Sequence, residues 1–351
     1  MTAPATERSH PVDSLFPDDL PLESSIAETF GLLAAYQLPA QTPATNRLFA
    51  RLNPTDLQLV RESLRDRLDP ETFRQVFEGY ATSDPKHFRR EILRYGTHFL
   101  PHLVGAKTGL CDANPPAHIH CMMRKPIFIG DQYSGDLFIE ELEQCGGQVE
   151  SDGHYLDFGC SSGAAVRYLA AAYPEAQWYG CDPVKESIAW ASDHLPGIDF
   201  QISPQWPPLP YPSQHFNGVY AISIWSHFSE RAALAWFDEM ARIIKPDGVL
   251  MFTTHGAATL GYSLRTGWRS DEGIRAIAAD LAQNRYRFED VYRHNDEVQS
   301  QLDSISDWGD AFLPLSWVIL HLHHQWDLMG FRPGRNQANQ DLYLLRRKSV
   351  G

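Results

Sequence analysis

The chain has 351 residues, of which 43% are hydrophobic and 21% are charged, and these proportions are typical of a folded globular protein with a sizeable core. Its 30 Lys and Arg residues against 44 Asp and Glu residues give a formal net charge of −14, and the absence of a long basic run argues against nucleic acid as a substrate. No basic N-terminal segment leads into an apolar stretch and no long apolar run is present, so we predict a soluble protein that does not contact membranes. The five cysteines follow no repeating framework, which favours the cytoplasm.

The first part of the chain is predicted to be helical after a flexible leader. Residues 1–24 are rich in Pro, Ser, Thr and Asp without a sustained period, which is typical of a flexible segment. Over residues 25–125 the helix signals include Asp69 and Asp84, each followed by a proline in the position that begins a helix. We expect this region to form a helical cap or a homodimer contact, with a connector rich in Gly and Pro at 106–130.

Residues 126–351 are predicted to form an α/β domain. After Gly130 apolar strand segments alternate with amphipathic helix segments, which is typical of a doubly wound parallel sheet with helices on both faces. The predicted parallel strands are, in chain order, HYLDFGC, AQWYGCD, IDFQI, FNGVYAIS and GVLMFTT. Further helices are inserted at about 257–325, before a closing pair, WDLMGFRPG and DLYLLRR, that can be antiparallel. Between these two strands, Arg335 and Asn336 are predicted to be turn residues.

The first strand runs into a glycine-bearing turn, YLDFGCSSG, that is typical of a nucleotide site. Gly159 and Gly163 let a ligand approach the backbone closely, and we expect free N–H groups of the turn to point outward. Asp182 ends the next strand 19 residues beyond Gly163, where a carboxylate can accept hydrogen bonds from both ribose hydroxyls. The alternative is an ordinary glycine turn in which Asp182 caps the following helix.

The charge near this turn separates two kinds of adenosine cofactor. Asp157 lies two residues before Gly159, where we expect its carboxylate to face the ligand. A carboxylate repels the pyrophosphate of a dinucleotide and favours a cofactor with a cationic amino-acid end, whose ammonium group Asp157 could hold. Ser161 also occupies the place of the middle glycine of a three-glycine loop. Both features count against a nicotinamide-dependent oxidoreductase, which shares the fold and the ribose carboxylate.

The segments LDFGCSSG, CDP, NGVYAISIWSHFSE and MARIIKPDGVLMFTTHG resemble the class I S-adenosylmethionine-dependent methyltransferases. The resemblance covers roughly residues 126–345 and implies a Rossmann-like, seven-stranded sheet, S-adenosylmethionine as cofactor, and transfer of its sulfonium methyl group. It places the methionine moiety against Gly159, Cys160, Ser161 and Gly163, the ribose at Asp182, and the sulfonium above Ile222 and Ser223. Ser203 is our choice for the adenine. Ser161 departs from the family, where glycine is more common, so the turn must avoid a positive φ there or tolerate its strain.

Two histidines are candidates for a general base. His227 follows the fourth core strand and His255 follows the fifth, and the carboxyl edge of an open α/β sheet is the edge that faces the ligand. A neutral imidazole there could remove a proton from a hydroxyl or an ammonium group. The alternative for each is a histidine held by backbone hydrogen bonds at a helix start.

The inserted segment is expected to contribute the acceptor pocket. Its aromatic residues Tyr262, Trp308 and Trp317 would suit a ring or an apolar acceptor, and Arg124 and Tyr133 could cover the cofactor as a lid. Each assignment has a structural alternative. Aromatic residues at this density more often belong to the core, and the segment around Tyr133 can form an edge-packing helix.

Two clusters resemble metal sites in composition only. They are Cys111, His118, His120 and Cys121 in the connector and His321, His323 and His324 near the C-terminus. Neither has the spacing of a closed zinc site, so we predict no bound metal.

The sequence therefore predicts an S-adenosylmethionine-dependent methyltransferase of small-molecule biosynthesis, with O-methylation by a histidine base as the first choice. N- and C-methylation stay open because they use the same cofactor geometry. An NAD(P)-dependent oxidoreductase is the alternative from another enzyme class. A non-catalytic cofactor-binding regulatory protein, which would keep the turn and lack the acceptor site, is the third alternative.

Overall fold

Nine strands are found in the computed structural model, which describes residues 41–116, 119, 131–293 and 306–349. They are β1 His154–Phe158, β2 Gln177–Asp182, β3 Ile198–Ile202, β4 Phe216–Ala221, β5 Ile244–Thr254, β6 Arg287–Glu289, β7 Asp310–Phe312, β8 Trp326–Asn336 and β9 Gln340–Arg347. Seven of them form one sheet in the order β3-β2-β1-β4-β5-β9-β8, and β6 pairs separately with β7. Neighbours among β1 to β5 are parallel, whereas β9 is antiparallel to β5 and to β8. The predicted fold, a seven-stranded and mostly parallel sheet with an antiparallel closing strand, is confirmed.

The strand order fixes the edge at which a ligand can bind. β1 pairs with β2 on one side and with β4 on the other, so the direction of chain progression reverses between β1 and β4. In open α/β sheets the crevice at such a reversal, outside the carboxyl ends of the strands, is the usual ligand site. The turns that follow β1, β2, β4 and β5 therefore share one edge, which we call the carboxyl edge.

Helices cover both faces of the sheet, and successive residues of the central strands are therefore buried on opposite sides. Tyr155 and Leu156 of β1, for example, are 1% and 0% exposed and belong to different apolar clusters. The helices of the sheet domain are α7 Gln132–Gln144, α8 Ala164–Ala172, α9 Lys185–His194, α10 Glu230–Ile243, α11 Ala257–Thr266, α12 Asp271–Ala282 and α13 Leu315–Leu322. Among the residues that the structure describes, none of the helices has the length and the apolar composition of a membrane-spanning segment.

The described part of the N-terminal region is helical, as predicted. Its α-helices are α1 Pro43–Phe49, α2 Pro54–Arg65, α3 Pro70–Arg74, α4 Ala81–Ser83, α5 Pro85–Phe99 and α6 Ala106–Thr108, with π-helical turns at Gln75–Tyr80 and Pro101–Gly105. Asp69 caps α3 and Asp84 caps α5 by accepting backbone N–H bonds of the first turn, so both predicted helix starts are confirmed. The predicted leader at 1–24 and the start of the cap region lie outside the described residues.

A buried polar contact holds this helical layer on the sheet domain. The amide and hydroxyl of Thr45 in α1 donate to the two carboxylate oxygens of Asp136 in α7 at 3.0 and 2.6 Å. The Tyr168 hydroxyl of α8 lies 2.7 Å from the Thr45 hydroxyl. Arg51 adds a bond of 2.8 Å to the carbonyl of Ala171, where a cation suits the C-terminus of α8. The layer therefore packs against α7 and α8 on one face of the sheet.

We predict that Thr45→Val lowers the free energy of unfolding by about 1–3 kcal/mol, because a buried carboxylate and a buried hydroxyl each lose a partner. Thr97→Val in α5 is the matched control, since Thr97 is equally buried and its hydroxyl has no partner within the described residues. The control should be within about 0.5 kcal/mol of the unsubstituted protein. Urea unfolding followed by circular dichroism measures both, and equal losses for the two variants would contradict the assignment.

Candidate cofactor site at the carboxyl edge

The turn after β1, residues 159–163, which we call the β1 turn, has three residues with positive φ. The φ angles are 84° at Gly159, 50° at Ser161 and 77° at Gly163. Glycine adopts such angles without strain, whereas a residue with a Cβ rarely does. The turn therefore uses a positive φ at Ser161 and carries the strain there.

Asp182 at the end of β2 holds the β1 turn in this conformation. Its Oδ2 accepts the amide N–H of Ser161 at 2.8 Å, and its Oδ1 accepts the amide N–H of Val184 at 2.9 Å. The Ser203 amide, after β3, donates to the Asp182 carbonyl at 3.1 Å. Each carboxylate oxygen has received one hydrogen bond and retains a lone pair. Asp182 can thus order the turn and still accept two further hydroxyl donors.

Four of the five N–H groups of the β1 turn are bonded within the protein and do not point outward as expected from the sequence. The amides of Gly159 and Cys160 donate to the Cys181 carbonyl at 2.8 and 3.1 Å, and the Gly163 amide donates to the Cys160 carbonyl at 2.9 Å. With the Ser161 amide bonded to Asp182, these four donors are used within the protein. A pyrophosphate cradle needs such donors free, so the geometry disfavours a dinucleotide.

Asp157 also differs from the expectation of an ionised carboxylate beside the ligand. Its side chain is 5% exposed, and burial raises its pKa to about 8, with the nearby carboxylates of Asp131 and Asp182 acting in the same direction. A carboxyl group with this pKa is mainly protonated near neutral pH. Repulsion of phosphate by Asp157 is thus weaker than we expected, although a cation bound beside it would lower its pKa and ionise it.

The turn after β4, residues 222–224, which we call the β4 turn, lies against the β1 turn. A Cβ atom on Gly159 would come within 2.1 Å of Ile224 Cδ1, so glycine is required for this approach. Ser223 has a φ of 63° and is a second strained serine at the same edge, while Ile222 is partly buried beside it. The two turns together form one wall of the crevice between β1 and β4.

Comparisons with known proteins agree with this geometry. A family model described as a methyltransferase domain matches residues 156–248, from β1 into β5. This chain contains a class I S-adenosylmethionine-dependent methyltransferase domain. The residues at its carboxyl edge fit that cofactor, because Asp182 can accept two ribose hydroxyls and four of the five N–H groups of the β1 turn are already bonded within the protein and cannot bind a phosphate.

Two curated relatives match this methyltransferase domain over part of their length. The chain is 28% identical over 128 residues to a malonyl-[acyl-carrier protein] O-methyltransferase of Methylococcus capsulatus, with 35% of this chain and 45% of the relative covered. It is 25% identical over 169 residues to a fatty-acid O-methyltransferase of Mycolicibacterium smegmatis, with 46% and 57% covered. The chain thus spans about half the length of these relatives. A solved S-adenosylmethionine-dependent methyltransferase structure from Methanosarcina mazei aligns with a TM-score of 0.42 at 15% identity, covering 58% of this chain and 95% of the other.

The two predicted base candidates lie at the carboxyl edge of the methyltransferase domain, and both are buried. Each imidazole is 5% exposed. Burial lowers the pKa of His227 to about 4 and that of His255 to about 3, the latter with a further contribution from the charges of His227 and Arg269. His227 Nδ1 lies 3.0 Å from the Gly309 carbonyl. Since only N–H can donate to a carbonyl, this bond fixes the Nδ1–H tautomer and leaves the lone pair on Nε2.

The inserted segment brings the two histidines together. The Gly309 amide donates to the His227 carbonyl at 2.8 Å, and the Leu313 amide donates to the His255 carbonyl at 2.9 Å. Residues 309–313, which include β7, therefore run between the ends of β4 and β5. Gly309 is required there because an added Cβ would lie 2.2 Å from the carbonyl oxygen of Glu289.

The aromatic residues predicted to contact the acceptor divide into two groups. Trp308 is partly buried and stacks on His227 with ring centroids 5.3 Å apart. Tyr262 is partly buried 6.3 Å from the ring of Trp268, which in turn lies 5.2 Å from His255. Trp317 is 1% exposed and its indole N–H donates to Glu230, so its burial fits the core alternative rather than an acceptor contact.

The hairpin between β8 and β9 corrects one prediction. Arg335 and Asn336 are not turn residues, because both belong to β8 and are 3% and 6% exposed. The Arg335 guanidinium pairs with Glu140 and Glu141 of α7 at 2.8 and 3.1 Å. The Tyr133 hydroxyl, predicted to be part of a lid, donates to the Arg335 carbonyl at 2.9 Å. Tyr133 therefore holds this hairpin against α7.

No group of three or more His, Cys, Asp or Glu side chains within the described ranges is placed to hold a metal ion. His321 and His323 each bond a helix carbonyl through Nδ1, at 2.9 and 3.0 Å. Three members of the connector cluster, His118, His120 and Cys121, lie outside the described residues, as does Arg124 of the predicted lid.

Two polar residues of the carboxyl edge, Thr253 in β5 and Gln340 in β9, were not singled out from the sequence. Thr253 accepts the amide N–H of Ser223 at 2.8 Å, and Gln340 donates to the Ser223 hydroxyl at 2.6 Å. Thr253 could have been found from its place at a strand end, two residues before His255. The sequence carries no signal for Gln340, because only the folded hairpin brings it to β4.

We predict a pH-dependent effect of Asp157→Asn on stability. Because the pKa of Asp157 is raised to about 8 in the folded protein, the carboxyl group stabilises the fold below its unfolded pKa, and this contribution is lost as the pH rises through about 8. Asn cannot ionise, so the Tm of the variant minus the Tm of the unsubstituted protein should rise by about 5 °C between pH 5 and pH 8.

Thermal unfolding across this pH range tests the effect. Asp193→Asn, at an exposed carboxylate on α9, serves as the control and should give a constant difference in Tm. Parallel Tm curves for Asp157→Asn and the unsubstituted protein would show that the pKa of Asp157 is not raised.

Proposed function

We propose that this chain transfers the sulfonium methyl group of S-adenosylmethionine to an oxygen atom of a small-molecule acceptor. The observation that carries the proposal is the β1 turn, in which four of the five N–H groups are bonded within the protein while Asp182 retains lone pairs on both carboxylate oxygens. This arrangement suits a ribose attached to a group without phosphate. Both curated relatives have the name of an O-methyltransferase, which supports oxygen as the acceptor atom.

In this proposal the cofactor contacts follow the two turns of the crevice. Asp182 binds the ribose, Ser203 lies near the adenine, and Asp157 holds the ammonium group. The methionine moiety contacts Gly159, Cys160, Ser161 and Gly163, and the sulfonium lies above Ile222 and Ser223. When bound, S-adenosylmethionine supplies a methyl group that is already activated, so the protein has to align the acceptor and, where the acceptor is protonated, remove one proton.

We assign the base role for a hydroxyl acceptor to a histidine, with His227 ahead of His255. The bond from His227 to Gly309 leaves Nε2 free to accept a proton, and a pKa of about 4 keeps the ring neutral throughout the physiological range. Trp308, stacked on His227, and Tyr262, near Trp268, would contact the acceptor.

A carboxylate is the second candidate acceptor, and the low pKa values of the histidines favour it. Burial that keeps His227 and His255 neutral also makes them weak bases. A carboxylate reaches the site ionised at neutral pH and needs no proton removed. Methylation of a carboxylate also agrees with the name of the Mycolicibacterium smegmatis relative, a fatty-acid O-methyltransferase.

We further propose that the N-terminal helices form a homodimer contact in addition to their contact with α7 and α8. Analytical ultracentrifugation of the full chain gives the test. The chain mass is 39.7 kDa, and we expect a species of twice this mass. A single species of the chain mass at all concentrations would refute the dimer.

Asp182→Asn is predicted to weaken binding of S-adenosylhomocysteine by at least about tenfold. The amide loses one or two charge-assisted bonds to the ribose, worth about 1.5–3 kcal/mol each, and its NH₂ group cannot accept the N–H of Ser161 or Val184. Asp199→Asn, an exposed carboxylate on the neighbouring strand β3, is the control and should bind normally. Titration calorimetry measures both, and an unchanged affinity of Asp182→Asn would remove this residue from the site.

Methyl transfer itself is tested with radiolabelled S-adenosylmethionine against a panel of fatty acids and phenols. With a phenol as acceptor, His227→Ala should lower kcat by about 100-fold without changing the KM for S-adenosylmethionine, because the base acts in the chemical step. With a fatty acid, kcat should change by less than about threefold. Full activity of both His227→Ala and His255→Ala on the phenol would rule out a histidine base.

A further inference from the structure

The β4 turn contains a strained residue whose conformation is held from outside the turn. Ser223 has a φ of 63°, a value that costs free energy for any residue with a Cβ. Its amide N–H donates to Thr253 Oγ1 of β5 at 2.8 Å. The β1 turn is held in the same way, because the amide N–H of the strained Ser161 donates to Asp182 of the neighbouring strand β2.

A directed set of hydrogen bonds continues from Thr253 to the closing strand and back to Ser223. The Thr253 hydroxyl donates to Gln340 Oε1 at 2.8 Å, and Gln340 Nε2 donates to Ser223 Oγ at 2.6 Å. The Ser223 hydroxyl lies 3.0 Å from Ser226 Oγ, which donates to the Ser223 carbonyl at 2.8 Å. The Asn336 amide donates to Gln340 Oε1 at 3.0 Å. We call Thr253, Gln340 and Asn336 the edge network.

The orientation of the Gln340 side chain follows from these partners. Its Oε1 receives donors from Thr253 and Asn336, so a reversed amide would place an NH₂ group against two donors. Thr253, Gln340 and Asn336 are 0%, 5% and 6% exposed, and hydrogen bonds this well shielded from water compete poorly with solvent. The edge network is therefore a fixed support under the β4 turn.

We propose that Thr253 and Gln340 are positioning residues, which hold Ser223 in its left-handed conformation and thereby place the β4 turn to receive the methionine end of the cofactor. The proposal rests on the proposed function for the identity of the ligand. The contact of Ile224 with Gly159 gives the turn its place in the crevice. Asp182 binds the ribose from the end of β2, and its carboxylate is held by the amides of Ser161 and Val184 rather than by β5 or β9. Loss of the edge network should therefore affect the methionine end and spare the adenosine end.

Thr253→Val tests the proposal, and Thr254→Val is the matched control. The two threonines are adjacent in β5 and each is 0% exposed, but the Thr254 hydroxyl has no partner within the described residues. We expect Thr253→Val to weaken S-adenosylhomocysteine binding by about tenfold or more, because the Ser223 amide loses its acceptor and Gln340 loses a donor, and with them the restraint on the β4 turn. Adenosine binding should change by less than about twofold, and Thr254→Val should leave both affinities unchanged.

A second substitution separates conformation from general stability. In the Thr253→Val background, Ser223→Gly removes the conformational cost of a positive φ, so the affinity for S-adenosylhomocysteine should return to within about threefold of the original value. A merely destabilised core would not be rescued by a glycine in the β4 turn. An equal loss of both affinities in Thr253→Val, or no rescue by Ser223→Gly, would overturn the proposal.

Hydrogen–deuterium exchange decides the proposal without any ligand. The peptide that contains Ser223 should exchange at least about tenfold faster in Thr253→Val than in Thr254→Val, because its amide loses its acceptor. Equal exchange would overturn the positioning role whatever the chain binds. Failure of the unsubstituted protein to bind S-adenosylhomocysteine, together with faster exchange, would refute the proposed function and leave the support of Ser223 by Thr253 established.

Discussion

At 2.8 Å, the hydrogen bond from the Ser161 amide to Asp182 Oδ2 joins the β1 turn to the end of β2. It compensates for the strain of a left-handed serine, and it removes a backbone donor that a phosphate would need. It also fixes one oxygen of Asp182 while a lone pair on each oxygen stays available. The kind of cofactor that fits the carboxyl edge follows from these three consequences.

Burial of acidic groups around this bond adds a second constraint. Burial raises the pKa of Asp157 to about 8 and that of Asp182 to about 6. Near neutral pH, Asp157 is therefore mainly protonated and Asp182 mainly ionised, and a buried site with these two carboxyl groups gains most from a ligand that brings positive charge. The two strained serines, Ser161 and Ser223, face this environment from the two turns, and each is held by a polar side chain from the end of a neighbouring strand. Strain and electrostatics are thus concentrated at the same edge.

The sequence predicted the sheet and the existence of the cofactor turn because both depend on local patterns. Alternating strands and helices specify a parallel sheet, and glycines at a strand end specify a close backbone approach. It did not predict that N–H groups of the β1 turn bond within the protein. That outcome depends on the left-handed conformation of Ser161, and the sequence left open whether Ser161 has a positive or a negative φ. The raised pKa of Asp157 depends on burial by distant segments. Arg335 and Gln340 bond partners 195 and 117 residues away, and no local pattern carries such contacts.

Titration calorimetry of the full chain with S-adenosylmethionine, S-adenosylhomocysteine and NAD tests the central claim most directly. Because four of the five N–H donors of the β1 turn are used within the protein and the surrounding carboxyl groups favour a cation, both sulfur compounds should bind with one site per chain and NAD should not bind. Binding of NAD with no binding of either sulfur compound would contradict the account.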